Sequence, residues 1–108
     1  MTKVSRRAVI LTAAAATMAA TLPARAATQA VTIDAMKFEP AELAVKVGDS
    51  VTFTNLGNAP HTATADAGGF DTGKLTKGQS ATVTFSAAGD FAYHCQIHKS
   101  MKAVIRVS

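Results

Sequence analysis

The segment His94-Cys95-Gln96-Ile97-His98-Lys99-Ser100-Met101 sets a thiol, an imidazole and a thioether at steps of three residues, and a second imidazole, His61, follows Pro60 far upstream. Cys95 is the only cysteine, so an internal disulfide is excluded and its sulfur is left for a metal, a partner chain or plain packing. Two imidazoles, one thiolate and one thioether form the donor set of a blue-copper site, with His61, Cys95 and His98 in a trigonal plane and Met101 as a long axial ligand. A loop between two strands can wrap one ion with three ligands only if they are close in sequence, so the fourth comes from a neighbouring strand end. Zinc fits less well, because structural zinc sites rarely use a thioether. The soft sulfurs suit reduced copper and the imidazoles suit both oxidation states, so such a site rearranges little when an electron arrives or leaves. A Cys-x-x-His by itself matches many packing positions; the upstream His and the Met in step separate this chain from that bland case. His94 falls on the opposite face from Cys95 in an extended segment and reads as a structural or surface histidine.

Alternation, not helical spacing, governs the residues around these groups. Val31 and Ile33, Val45 and Val47, Val51 and Phe53, and Ala81, Val83 and Phe85 each alternate with polar or exposed neighbours, and Phe91–Cys95 and Ala103–Val107 supply two later runs. Gly48-Asp49, Gly57-Asn58, Gly78 and Gly89-Asp90 punctuate them as turns. Short strands at this spacing predict an all-β, two-layer, mostly antiparallel sandwich with no long helix. Met36, Phe38, Leu43, Phe70 and Leu75 are expected in its core, and the Gly-, Asp- and Thr-rich stretch 65–77 is expected to be a surface loop.

Residues 1–26 have a basic start, an apolar run from Ala8 to about Ala20 and Ala24-Arg25-Ala26 as a cleavage pattern, which predicts a signal peptide preceding a domain at 27–108. The apolar run is shorter than the ~20 residues a membrane span needs, so no stable membrane insertion is expected after cleavage. Ser5-Arg6-Arg7 suggests the twin-arginine route. Lys3, Arg6, Arg7 and Arg25 carry the whole formal charge of +4, and from Ala27 onward bases and acids balance. Nucleic-acid binding thereby loses its electrostatic argument. The chain shows no nucleophile elbow, no phosphate-binding Gly loop and no evident acid-base pair for hydrolysis.

The strings Met36-Lys37-Phe38-Glu39, Glu42-Leu43, Val45-Lys46-Val47-Gly48-Asp49, Asn55, Pro60-His61, Tyr93-His94-Cys95, His98 and Met101 resemble the cupredoxin family of blue copper proteins. The two-residue gap between His98 and Met101 is similar to its amicyanin-like members; plastocyanin and pseudoazurin are more distant. The resemblance spans nearly all of 27–108. It implies a Greek-key β-sandwich, one-electron transfer, His61, Cys95 and His98 as strong copper ligands and Met101 as the axial one. It also implies that Asn55 supports the site from behind, its backbone N–H holding the cysteine sulfur and its side chain tying the two ligand loops. Ile97 and Lys99 stand where amicyanins tend to carry proline. Proline has no N–H, so Ile97 is expected to donate a second hydrogen bond to the sulfur.

These residues lead to a periplasmic type 1 copper protein, not an enzyme, that shuttles one electron between transient partners such as a dehydrogenase, cytochrome or reductase, and acts as a monomer. A periplasmic copper carrier or chaperone is the alternative, and an Ig-like structural module would need only the sandwich.

Overall fold

The computed structural model describes residues 26–108; the expected leader, apart from Ala26, lies outside them. Eight strands follow one another: β1 (Thr28–Asp34), β2 (Lys37–Glu39), β3 (Glu42–Val45), β4 (Ser50–Asn55), β5 (Thr64–Ala65), β6 (Ser80–Thr84), β7 (Gly89–His94) and β8 (Lys102–Val107). They form two four-stranded sheets, ordered β2-β1-β4-β6 and β3-β8-β7-β5, and no helix is present among the described residues. Four of the six strand pairings are antiparallel, as expected, but β1 with β4 and β3 with β8 run parallel. The cause is connectivity. The chain leaves the first sheet after β2, lays β3 in the second, and returns to place β4 beside β1. Alternation along a strand decides which face is buried and says nothing about the neighbour's direction.

The alternation itself is expressed directly. Val51, Phe53 and Asn55 of β4 point inward, while Ser50, Thr52 and Thr54 point outward and pair hydroxyl to hydroxyl with Thr84, Thr82 and Ser80 of β6. Between the sheets, Tyr93 of β7 meets Phe38 of β2 edge-on with ring centres 4.7 Å apart, and Phe53 of β4 at 5.5 Å. Phe70 stacks on Phe53 and Leu75 is buried, so the stretch 65–77 is no free surface loop. It is held by Ala65 in β5 and by bridges from Thr64 to Asp71 and from His61 to Leu75. That tether is what fixes the position of His61.

Two apolar residues expected inside lie outside. Met36 is 49% exposed because Ala35 and Met36, both at positive φ (52° and 61°), form the two-residue turn of the β1/β2 hairpin. Such turns normally use Asn or Gly, so Ala-Met carries no turn signal. Val47 is exposed because β3 stops at Val45, where the Asp49 carboxylate accepts the backbone N–H groups of Lys46 and Ala27 and closes a turn.

Candidate metal centre

His61 leaves the loop after β4 and is fixed by a reciprocal backbone pair with Leu75, N to O at 3.0 Å and O to N at 2.7 Å. Cys95 follows β7 directly, and the loop to β8 turns back on itself: Cys95 N–H donates to Met101 O at 3.1 Å and Met101 N–H to His98 O at 2.9 Å. This folding brings His98 under His61. Cys95 Sγ lies 3.7 Å from His61 Nδ1 and 3.9 Å from His98 Nδ1, and the two Nδ1 atoms are 3.2 Å apart.

A triangle with these sides has a point about 2.1 Å from all three atoms, within the span of metal-nitrogen and metal-thiolate bonds, ~2.0–2.3 Å. The donor set and its spacing therefore fit a single metal ion. Cys95 and His61 are buried and His98 is half-exposed, so one imidazole edge of the cluster reaches the surface. Met101, the expected axial donor, is buried at the end of the same loop. Burial first, and the facing His98 second, hold the His61 imidazole below its ordinary pKa, which favours the neutral form that binds metal.

The support around the sulfur differs from expectation in two respects. The backbone N–H groups that point at Cys95 Sγ are those of Thr62 and His98, each at 3.4 Å. The Ile97 N–H is not among them, because the turn to Met101 aims the following amide inward. Asn55 N–H also does not reach the sulfur; it donates to Gln79 O. The Asn55 side chain is fully buried, donates to Ala59 O and Leu75 O at 2.8 Å each, and accepts Gly57 N–H. It thus ties the loop before His61 to the Leu75 segment, not to the loop of Cys95.

The residue that joins the two ligand loops is Thr62, which sequence reasoning passed over. Its Oγ1 accepts Gln96 N–H at 2.8 Å and contacts Thr64 Oγ1 at 2.9 Å, while its N–H meets the sulfur. Its place directly after a ligand histidine was the available signal, masked by its ordinary look as a strand threonine. His94, read from the sequence as a structural or surface histidine, is not among the clustered donors; its Nδ1 pairs with Asp66, a partner the sequence did not indicate.

The cupredoxin-like domain family matches this chain over residues 7–107. Amicyanin of Paracoccus denitrificans is 39% identical over 82 residues, covering 71% of this chain and 63% of that protein. Chloroplastic plastocyanin of Tetradesmus obliquus is 36% identical over 84 residues, covering 68% of this chain and 58% of that protein. The chain therefore spans about three fifths of the length of these curated relatives. An oxidised methionine-to-leucine mutant of amicyanin superposes with a TM-score of 0.70 at 34% identity, over 74% of this chain and 81% of the other.

Proposed function

Since the chain belongs to the cupredoxin-like family, whose cofactor is copper, we propose that it is a one-electron carrier and that His61, Cys95, His98 and Met101 hold its copper ion. The observation that carries this reading is the convergence of two imidazole nitrogens and one sulfur about a common point at metal-bond distance. Copper, when bound, supplies a one-electron couple between Cu(II) and Cu(I).

The protein's own groups account for the rest. His61 and His98 present Nδ1, and Cys95 supplies the thiolate. The N–H groups of Thr62 and His98 lie toward negative charge on the sulfur and offset it. Asn55 and Thr62 fix the two loops before any ion arrives, so the ligands are held in one geometry through a change of valence. Burial of Cys95, His61 and Met101 at 0%, 2% and 3% exposure keeps water from the cluster. The half-exposed His98 edge is the route by which an electron passes to a docked protein. Such docking is transient and small in area, which suits a carrier that leaves after each transfer.

The further reading is of a monomer exported to the periplasm behind the leader 1–26, serving dehydrogenase, cytochrome or reductase partners without acting as an enzyme itself. Addition of Cu(II) tests the reading. An intense blue thiolate-to-copper band, absent in Cys95→Ser, with slow release of the ion, is the expected result. Colourless Cu(I) binding with ready handover would favour a copper carrier, and no binding would leave only the sandwich.

A further inference from the structure

The loop that ends on Met101 also carries Lys99, and β8 opens with Lys102. Both side chains are exposed, and neither lies within ion-pair distance of a carboxylate among the described residues. With Asp66 and His94 they line an open depression of about 260 Å³ beside the ligand loop. Its one carboxylate, Asp66, is engaged by His94 Nδ1, so the two ammonium groups are the charges left to face solvent.

Lys46, Lys74 and Lys77 are likewise outside any ion pair among the described residues, but none of them lies on the stretch from Cys95 to Lys102 that carries His98; the remaining charges are engaged. Arg106 lies against Glu42 and Asp90, Lys37 against Glu39, and Asp49 accepts two backbone N–H groups. Bases and acids balance from Ala27 onward, so net charge attracts neither sign and local placement decides what is steered to the His98 edge. Resting on the electron-carrier reading, we propose that Lys99 and Lys102 form a docking face for a redox protein whose surface presents Asp and Glu carboxylates. Complementary charges of this kind raise the rate of encounter more than the strength of the complex. Both cations are lysines, compact and strongly hydrated, which lack the bidentate grip of arginine on a carboxylate. The contact they make is quick to form and quick to leave.

The test uses the copper-loaded protein. The reduced form is oxidised by hexacyanoferrate(III) in stopped flow across a range of ionic strengths, for wild type, Lys99→Glu, Lys102→Glu, the double variant and Lys46→Glu. Lys46 lies in the turn before β4, at the opposite end of that strand from Asn55; its reversal changes the net charge as much as either single variant.

Wild type is expected to slow as salt rises. The double variant is expected to react at least about tenfold more slowly at low salt and to lose or invert the salt dependence, while Lys46→Glu is expected to change the rate much less and to match wild type near ~0.1 M salt, where charges more than ~10 Å apart are screened. A glutamate hexapeptide is expected to slow the wild-type reaction and not that of the double variant. Equal rates in wild type and double variant, or an equal effect from Lys46→Glu, would overturn the proposal; so would a response to hexacyanoferrate with none to the peptide, which would mark a small-anion site only. The blue band separates the two levels. A wild type that never turns blue sinks the carrier reading and the docking face with it, whereas blue variants with unchanged kinetics sink the docking face alone.

Discussion

Thr62→Val is the substitution that isolates the clamp between the ligand loops. Valine keeps the branched shape and the backbone N–H that meets Cys95 Sγ, and removes only the hydroxyl. Gln96 N–H then loses its acceptor at 2.8 Å, and Thr64 Oγ1 loses one of two partners but retains Asp71. Leaving a buried donor unsatisfied costs about 1–3 kcal/mol; because Gln96 itself is exposed and water can reach part of the gap, about 1–2 kcal/mol is expected. With a urea slope near 1 kcal/mol/M for so small a domain, the unfolding midpoint of the copper-free protein falls by about 1–2 M. Copper affinity falls by about tenfold or more, as for other groups that orient ligands without touching the ion. Thr62→Ser, which restores the oxygen, recovers both. A Thr62→Val protein with the wild-type midpoint and wild-type affinity would refute the clamp.

Met36→Gly relieves a left-handed residue that costs roughly 1–2 kcal/mol and gives back about 0.5–1 in chain entropy, so the midpoint of denaturant unfolding should rise slightly; a fall would contradict the turn assignment. Tyr93→Phe removes a buried hydroxyl with no protein partner among the described residues and should stabilise the domain by about 1 kcal/mol, measured by the same unfolding curves, with a loss indicating a bond to the hydroxyl. The Asp49 carboxylate, bonded by the Ala27 N–H and then the Lys46 N–H, is held below its ordinary pKa. Its contribution is therefore complete above the unfolded value near pH 4 and disappears as pH falls through the lower folded value. Asp49→Asn should flatten that acid limb of stability against pH, and an unchanged limb would count against the bonds.

Much of the site was legible because three of its expected ligands fall within one short segment, and the alternating strands around it could be placed by period alone. Loop direction was not. Whether the N–H of Ile97 or of His98 meets the sulfur depends on how the segment turns between Cys95 and Met101, a matter of a few torsions with no side-chain signature. The role of Thr62 was hidden for a related cause: a hydroxyl becomes a clamp only when Gln96, distant along the chain, is brought to it. Asn55 was recognised as a supporting residue by likeness, but its partners proved to be Ala59 and Leu75, because 65–77 is tethered beside His61 and not free. The exposed Met36 shows the limit of composition: a long apolar side chain was placed outside by a turn built from residues that ordinarily avoid it.

X-ray absorption at the copper edge of the loaded protein addresses the convergence of donors most directly. One short sulfur and two imidazole nitrogens at about 2.0–2.3 Å are predicted, with the sulfur lost in Cys95→Ser. A shell of nitrogen and oxygen alone in the wild type would contradict it.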